Sequence, residues 1–210
     1  IARLICDVYS VDNKPFIGDP RFVLKRAVKK ASDMGYTVNI GPEMEFFLYF
    51  MDETGAPTLN SHDKGGYFDM SPIDHGGECR RNICLAIEKM GFEVEASHHE
   101  GAPAQHEIDF KYTQALDAAD KIMTFKLVSK SIAKRHGLFA TFMPKPKYGI
   151  NGSGMHINMS LSKGGGNAFY DEKDEIGLSK AAYSFIAGIM MYIKEFVMLT
   201  NPLINSYRRL

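Results

Sequence analysis

Neither sign of charge is in surplus in this chain of 210 residues: Lys and Arg total 25, and Asp and Glu total 25. That balance leaves out the basic surface by which nucleic acid or an anionic bilayer is held, so neither is expected as a partner. Any acidic cluster must therefore be local. Cysteine is scarce. Cys6, Cys79 and Cys84 make no CxxC, no Cys/His zinc spacing and no even-numbered disulfide framework, which points to a reducing cytoplasm. There is no GxGxxG, Walker A or HExxH stretch, which excludes those phosphate-loop and zinc-hydrolase signatures. The crowding of His98, His99 and His106 does not replace them. Repeats, low-complexity tracts and linkers are missing as well. The longest apolar run, Ala181 to Thr200, contains Lys194 and Glu195 and reads as a core helix rather than a membrane span.

What is there is a composition 45% hydrophobic and 24% charged, that of one globular unit or a large piece of one. The chain opens on "IARLICDVYS", which reads as a strand, and stops at "NSYRRL". Both ends are expected to lie inside a longer protein. "GDPRFVLKRAVKKASDMG" carries its own helix signals. Asp19 can cap, Pro20 fits the first turn, Phe22, Leu24, Ala27, Val28 and Ala31 form an apolar stripe, and Gly35 stops it. A strand over 41–50 follows, then the polar excursion "MDETGAPTLNSHDKGG", a hairpin or long loop. Further helices are expected over 77–90, 113–136 and 178–199, and strands over 92–99, 104–112, 138–143 and 154–161, with "KGGG" as a turn. Helices mixed with strands that neighbour one another favour α+β over a doubly wound sheet.

As a strand, "GPEMEFFLYF" places Glu43, Glu45 and Phe47 on one face and Met44, Phe46 and Leu48 on the other. Two carboxylates on an otherwise apolar strand repel each other and resist desolvation, so something must offset the cost. The pattern recurs. "GMHINMSL" alternates His156, Asn158 and Ser160 with Met155, Ile157, Met159 and Leu161. "AQHEIDFKY" alternates Gln105, Glu107, Asp109 and Lys111 with Ile108 and Phe110. "EVEASHHE" sets Glu93, Glu95, Ser97 and His99 against Val94 and Ala96. A plain solvated sheet face would mix in more Lys, Thr and Arg.

One reading converges Glu43, Glu45, Glu100, Glu107 and His156 on divalent cations. Oxygen-rich sets suit Mg²⁺ or Mn²⁺, and a single imidazole leans towards Mn²⁺. The other reading is a solvated acidic face with His156 in an ordinary polar contact, and alternation alone does not choose between them. In "KYGINGSGMH", Asn151, Gly152, Ser153 and Gly154 let backbone approach a ligand closely, or simply make a tight turn. Arg208 and Arg209 could clamp a carboxylate or phosphate, or stay solvated.

Taken together and in order, "GPEMEFF", "EASHHEGAPAQHEID", "ATFMPKP", "NGSGMHINMSL" and "NSYRRL" resemble the catalytic domain of type I (bacterial) glutamine synthetase, over essentially the whole chain. The resemblance implies an α+β fold, a curved, mainly antiparallel sheet flanked by helices. Residues 1–210 would form part of the catalytic domain, with a small N-terminal domain and a C-terminal remainder outside them. It implies that Glu45, Glu100 and Glu107 hold one metal and Glu43 and His156 a second, with two or more Mg²⁺ or Mn²⁺ per site. Asn151 and Gly152 would hold substrate glutamate, with Arg209 on its carboxylate. Glu95, Asn158, Ser160 and Tyr112 would lie near the nucleotide. At Asn158 a histidine is common in the family, so this contact departs from its pattern.

The activity so implied is ATP-dependent ligation of ammonia to L-glutamate through γ-glutamyl phosphate, in a cytoplasmic homo-oligomeric ring. The 210 residues alone are expected to be inactive, because the ammonium-binding aspartate, further arginines and a flap glutamate belong to the outlying parts. None of the 210 residues is expected to act as an acid or base. Two alternatives stay open: a γ-glutamyl-polyamine type ligase with the same metals, and a piece that only folds, binds ions weakly or assembles.

Overall fold

A computed structural model describes residues 3–209 of the chain. Helix α1 (Pro20–Asp33) begins where its signals lie, with the Asp19 carboxylate accepting from the Arg21 N–H at 3.0 Å and Pro20 in the first turn. Gly35, at φ +82°, releases the chain into strand β1 (Thr37–Met51). In chain order there follow β2 (Pro57–Ser61), α2 (Gly77–Glu88), β3 (Val94–His99), β4 (Gln105–Phe110), β5 (Thr113–Gln114) and α3 (Ala115–Arg135). Then come β6 (Leu138–Thr141), β7 (Met155–Lys163), β8 (Gly166–Asn167), α4 (Lys180–Thr200) and a 3₁₀ turn, Ile204–Arg209. The strands hydrogen-bond in the order β3-β4-β1-β7-β8, with β2, β5 and β6 also on β1. Each pair of described register is antiparallel, so the α+β antiparallel expectation holds.

The chain divides into two compact units. One draws on Ile1–Ile40, Tyr112–Lys121 and Asn158–Tyr192, the other on Gly41–Lys111, Ile122–Ile157 and Ile193–Leu210. In the first, Arg21 reaches Asp120 with two parallel bonds, Nε to Oδ1 at 3.0 Å and Nη2 to Oδ2 at 2.9 Å. This is the fork geometry that makes Arg–carboxylate pairs specific. The "KGGG" segment is a turn as expected: Ser162 pairs with Asn167 and Lys163 with Gly166. Gly164 and Gly165 both take positive φ, 58° and 84°, as a tight two-residue hairpin requires.

The second unit contains the core. Met44, Phe46 and Leu48 of β1 pack with Ile108 and Phe110 of β4, Ile83 and Ile87 of α2, and Phe125 of α3. Phe46 is fully buried; its ring meets Phe125 edge-on at 6.0 Å and Phe142 at 5.6 Å. The opposite face of β1 changes character along its length. Glu43 and Glu45 come first, then Phe47 and Tyr49, which stack at 5.4 Å over Ala102 and Ala104.

Two expectations are corrected. Described residues 4–10 are irregular apart from one bridge, Tyr9 to Pro15. Leu4, Ile5 and Val8 stand exposed, because apolar residues become a strand only against a partner edge; Ile1 and Ala2 lie outside the described residues. Helix α4 was expected to be a core helix, yet Ala182 is its one buried residue, and Met190 and Met191 are 72% and 68% exposed. By length and composition it is the one helix among the described residues apolar enough to cross a bilayer.

Truncating Phe46 to alanine is expected to cost about 3–5 kcal/mol, the range for a large aromatic removed from a packed core. Urea unfolding of the two chains measures it, and a loss below about 1 kcal/mol would contradict this placement of the core.

Candidate functional site

Register brings the carboxylates together. Across β1 and β4, Glu43 stands opposite Asp109 and Glu45 opposite Glu107. Across β4 and β3, His98 stands opposite Glu107. Between Val94 and Ala96 the β3 register shifts, and such an inserted residue exchanges the two faces of the strand beyond it. Simple alternation had put His99 on the polar face. The shift puts His98 there instead, and His99 is fully buried.

Single ligand atoms of His98, Glu100 and Glu107 lie within 4.8 Å of one another. His98 Nε2 is 3.4 Å from Glu107 Oε2 and Nδ1 is 3.9 Å from Glu100 Oε1. Glu45 stands beside this group, its Oε2 already accepting from the Gln105 side-chain amide at 2.8 Å and from the Gly154 N–H at 2.9 Å. A few residues along β1, Glu43 Oε2 lies 3.0 Å from His156 Nδ1.

The electrostatics follow from carboxylates facing carboxylates. Burial, then Glu100, Asp109 and Glu45, push the Glu107 carboxyl up to about 9. Burial and Glu43 push Asp109 up to about 6. Glu45 is raised by burial and Glu100, although the Gly154 N–H works the other way. Such a set, carboxylate oxygens with one or two imidazole nitrogens, fits a hard divalent ion of the Mg²⁺ or Mn²⁺ kind and supplies no thiolate for zinc.

Next to it Glu45, Glu100, Gln105, Lys145, Asn151, Gly152 and Arg209 line a cavity of about 360 Å³. Its wall is the loop 144–154, held at successive backbone groups. Lys145 Nζ donates to Ile150 O at 2.5 Å, Gln105 to Gly152 O at 3.1 Å, and Arg209 Nη1 to Ser153 O at 2.8 Å. Asn205 grips Lys145 by both backbone groups, at 2.7 and 2.9 Å. Two glycines of this loop, Gly152 and Gly154, serve close approach within the protein. A Cβ on Gly152 would sit 2.3 Å from Pro144 O, and one on Gly154 would sit 2.8 Å from Glu45 Oε1. Of the expected nucleotide contacts, Glu95 is exposed on β3 in the second unit. Tyr112, Asn158 and Ser160 belong to the first unit, and only Ser160 is part-buried.

A second polar cluster is of another kind. Buried Asp63 accepts from the Ala104 N–H at 2.8 Å and from His99 Nε2 at 3.2 Å, with His62 Nε2 at 2.9 Å. Despite burial, its carboxyl is held far below the usual range by those imidazoles and N–H donors. Arg80 Nη1 donates to Asp74 at 2.8 Å and to His106 Nδ1 at 2.8 Å. His62, Asp63, Asp74 and His106 also group closely, but Arg80 and the histidines already answer both carboxylates. Moreover, the His62 and His106 Nε2 atoms close on Gly76, where a Cβ would lie 2.6 and 2.5 Å from them.

Sequence reasoning had passed over His98, Gln105, Asp109 and Lys145 as site residues. Gln105 and Asp109 lie in the same alternating run as Glu107, so their face was visible; their bonding was not.

The chain matches the family profile "Glutamine synthetase, catalytic domain" over residues 17–210. It is 64% identical, over its whole length, to a glutamine synthetase of Clostridium saccharobutylicum, of which it covers 47%. It superposes on a Plasmodium falciparum glutamine synthetase structure with TM-score 0.87 at 31% identity, over 98% of this chain and 46% of that one. The structure of a GmaS/ADP complex gives TM-score 0.86 at 34% identity, over 95% and 46%. The chain thus spans about half the length of the relatives it matches.

Glu107 makes stability fall as pH rises. Below its ordinary value of 4.5 it is protonated both folded and unfolded, and its contribution is fully present. Between there and about 9 the unfolded chain releases a proton that the folded chain keeps, so stability is lost. Without metal, Tm should therefore decline over this window, and Glu107→Gln should flatten the decline. Mn²⁺ at about 100 times its Kd should add ~2.7 kcal/mol, raising Tm by roughly 5–10 °C, and Glu107→Gln should remove most of that rise. A Tm indifferent to millimolar Mn²⁺ would count against an ion site at these glutamates.

Proposed function

The chain belongs to the glutamine synthetase catalytic-domain family, and from that premise we propose that the protein ligates ammonia to L-glutamate with ATP, through γ-glutamyl phosphate. The observation that carries the reading is that Glu45, with Glu107 opposite it on the next strand, and Glu100 stand at a cavity whose cations are Lys145 and Arg209.

In the first step a γ-carboxylate oxygen attacks the terminal phosphorus of ATP, the P–O bond to ADP breaks, and an acyl phosphate forms. Two anions must meet for this. Divalent ions, when bound, offset their repulsion and spread the charge that develops on the phosphoryl oxygens. Glu45, Glu100 and Glu107 would hold one such ion, and Glu43 with His156 a second. Arg209 would pair with a substrate carboxylate, and Asn151 and Gly152 would fix the substrate against the loop 144–154. Glu95, Tyr112, Asn158 and Ser160 are assigned to the nucleotide, and the ADP complex formed by the GmaS relative is in keeping with this. Ammonia nitrogen then attacks the acyl carbon, phosphate leaves, and a proton is lost from nitrogen. The reading extends to a cytoplasmic homo-oligomer using Mg²⁺ or Mn²⁺.

Steady-state kinetics of the full-length enzyme test the reading. Arg209→Ala should raise the glutamate KM by about 10- to 100-fold, the worth of a charge-assisted contact of roughly 1.5–3 kcal/mol, with the ATP KM little changed. A normal glutamate KM beside a weakened ATP KM would move Arg209 to the phosphates. The 210-residue chain alone should make no measurable glutamine, since losing even one preorganised contact costs about 10²–10³ in rate. ATP-dependent glutamine formation by the pure chain would refute that part.

A further inference from the structure

Gln105 lies on β4, is 1% exposed, and uses its whole amide. Its Oε1 accepts from the Ala102 N–H at 3.1 Å, and its Nε2 donates to Glu45 Oε2 at 2.8 Å and to Gly152 O at 3.1 Å. The same Glu45 oxygen accepts from the Gly154 N–H at 2.9 Å. A closed ring results: the Glu45 carboxylate, the Gln105 amide, the Gly152 carbonyl, and the backbone through Ser153 back to Gly154. Between the two attachments, Arg209 holds the Ser153 carbonyl.

We propose that Gln105 is a positioning residue that couples the cation position at Glu45 to the glutamate loop at Gly152, an inference that rests on the functional reading above. The Glu45 carboxylate cannot turn towards an ion without moving two donors, one of them the loop's own amide and the other bound to the loop's carbonyl. Occupancy on either side therefore favours the same loop position. Thermodynamic linkage makes the effect reciprocal: if the ion tightens glutamate, glutamate tightens the ion by the same factor. No other side chain of this size does both jobs. Glutamate would set a third carboxylate against Glu45 and an acceptor against Gly152 O, whereas methionine fills the volume and donates nothing.

The test compares Gln105→Met with the parent. In the full-length enzyme, Mn²⁺ affinity is read by electron paramagnetic resonance with and without saturating L-glutamate, beside the KM values. The parent should show Mn²⁺ and glutamate each tightening the other. The variant should lose that coupling, with the glutamate KM and Mn²⁺ Kd both raised about tenfold, the worth of one charge-assisted bond, and the ATP KM within about twofold. In the metal-free 210-residue chain, hydrogen exchange at the Gly154 amide should quicken about tenfold while amides of α2 stay unchanged. Should the methionine variant not fold, Gln105→Asn, which keeps the amide and shortens its reach, is expected to show the same losses. Coupling that survives in either variant, a loss spread equally over ATP, or an unchanged Gly154 exchange rate overturns the proposal. A parent enzyme that binds neither Mn²⁺ nor glutamate refutes the functional reading instead, and the exchange measurement still decides whether Gln105 holds the loop.

Discussion

Mutual repulsion among half-desolvated carboxylates is the constraint on which the rest of this structure turns. Glu45 and Glu107 face each other across two strands, with Glu100 and Asp109 close by. The sheet beneath them is lined by Phe46 and Leu48, and Phe47 and Tyr49 continue their own face as a buried stack. Left to itself, such a group would spread apart or take up protons. It is held in place by an antiparallel ladder without slippage between β1 and β4, and by a core packed against the ladder's far side. The fold thus spends part of its packing energy on keeping negative charge concentrated, which is a rational outcome only where positive charge is to be received.

Two buried carboxylates show that the difference lies in their neighbours and not in burial as such. Asp63 is more deeply enclosed than Glu107, yet its carboxyl is held far below the usual range because backbone N–H groups and imidazoles surround it. Glu107 has one imidazole, His98, beside it, but burial and the carboxylates of Glu100, Asp109 and Glu45 prevail and push it up to about 9. The first arrangement is complete within the protein and serves as a strut. Through it His99 reaches Asp63 with one ring nitrogen and the Glu100 carbonyl with the other, at 2.7 Å. The strut steadies the chain that carries Glu100. The second arrangement is open, and suits an exogenous cation.

The loop 144–154 joins this acidic group to a cationic wall. Its carbonyls at Ile150, Gly152 and Ser153 are each taken by a different side chain, and those side chains come from the loop itself, from β4 and from the final 3₁₀ turn. A loop secured at so many backbone groups would lose little entropy on receiving a ligand, so it could hold one without a large apolar contact. Arg209 thereby has two duties, as a pin on Ser153 and as a charge in the cavity.

Much of this was determined by the sequence alone. Capping by Asp19 and Pro20, the stop at Gly35, the Gly164–Gly165 turn and the two faces of β1 are local effects, set by residues within a few positions of one another. The motifs in order identified the family, and alternation marked Glu43, Glu45 and Glu107 as one face. Tertiary structure decided what depends on a partner. Leu4, Ile5 and Val8 have strand composition, but the pairing described for their segment is the single bridge from Tyr9 to Pro15, and α4 has core composition but no described cover. The register shift in β3 exchanged His99 for His98, because one extra residue inverts a period of two. The bridge made by Gln105 joins residues 45, 105 and 152, and no pattern along the chain can show a hydrogen bond whose ends meet only when three distant segments are folded against one another.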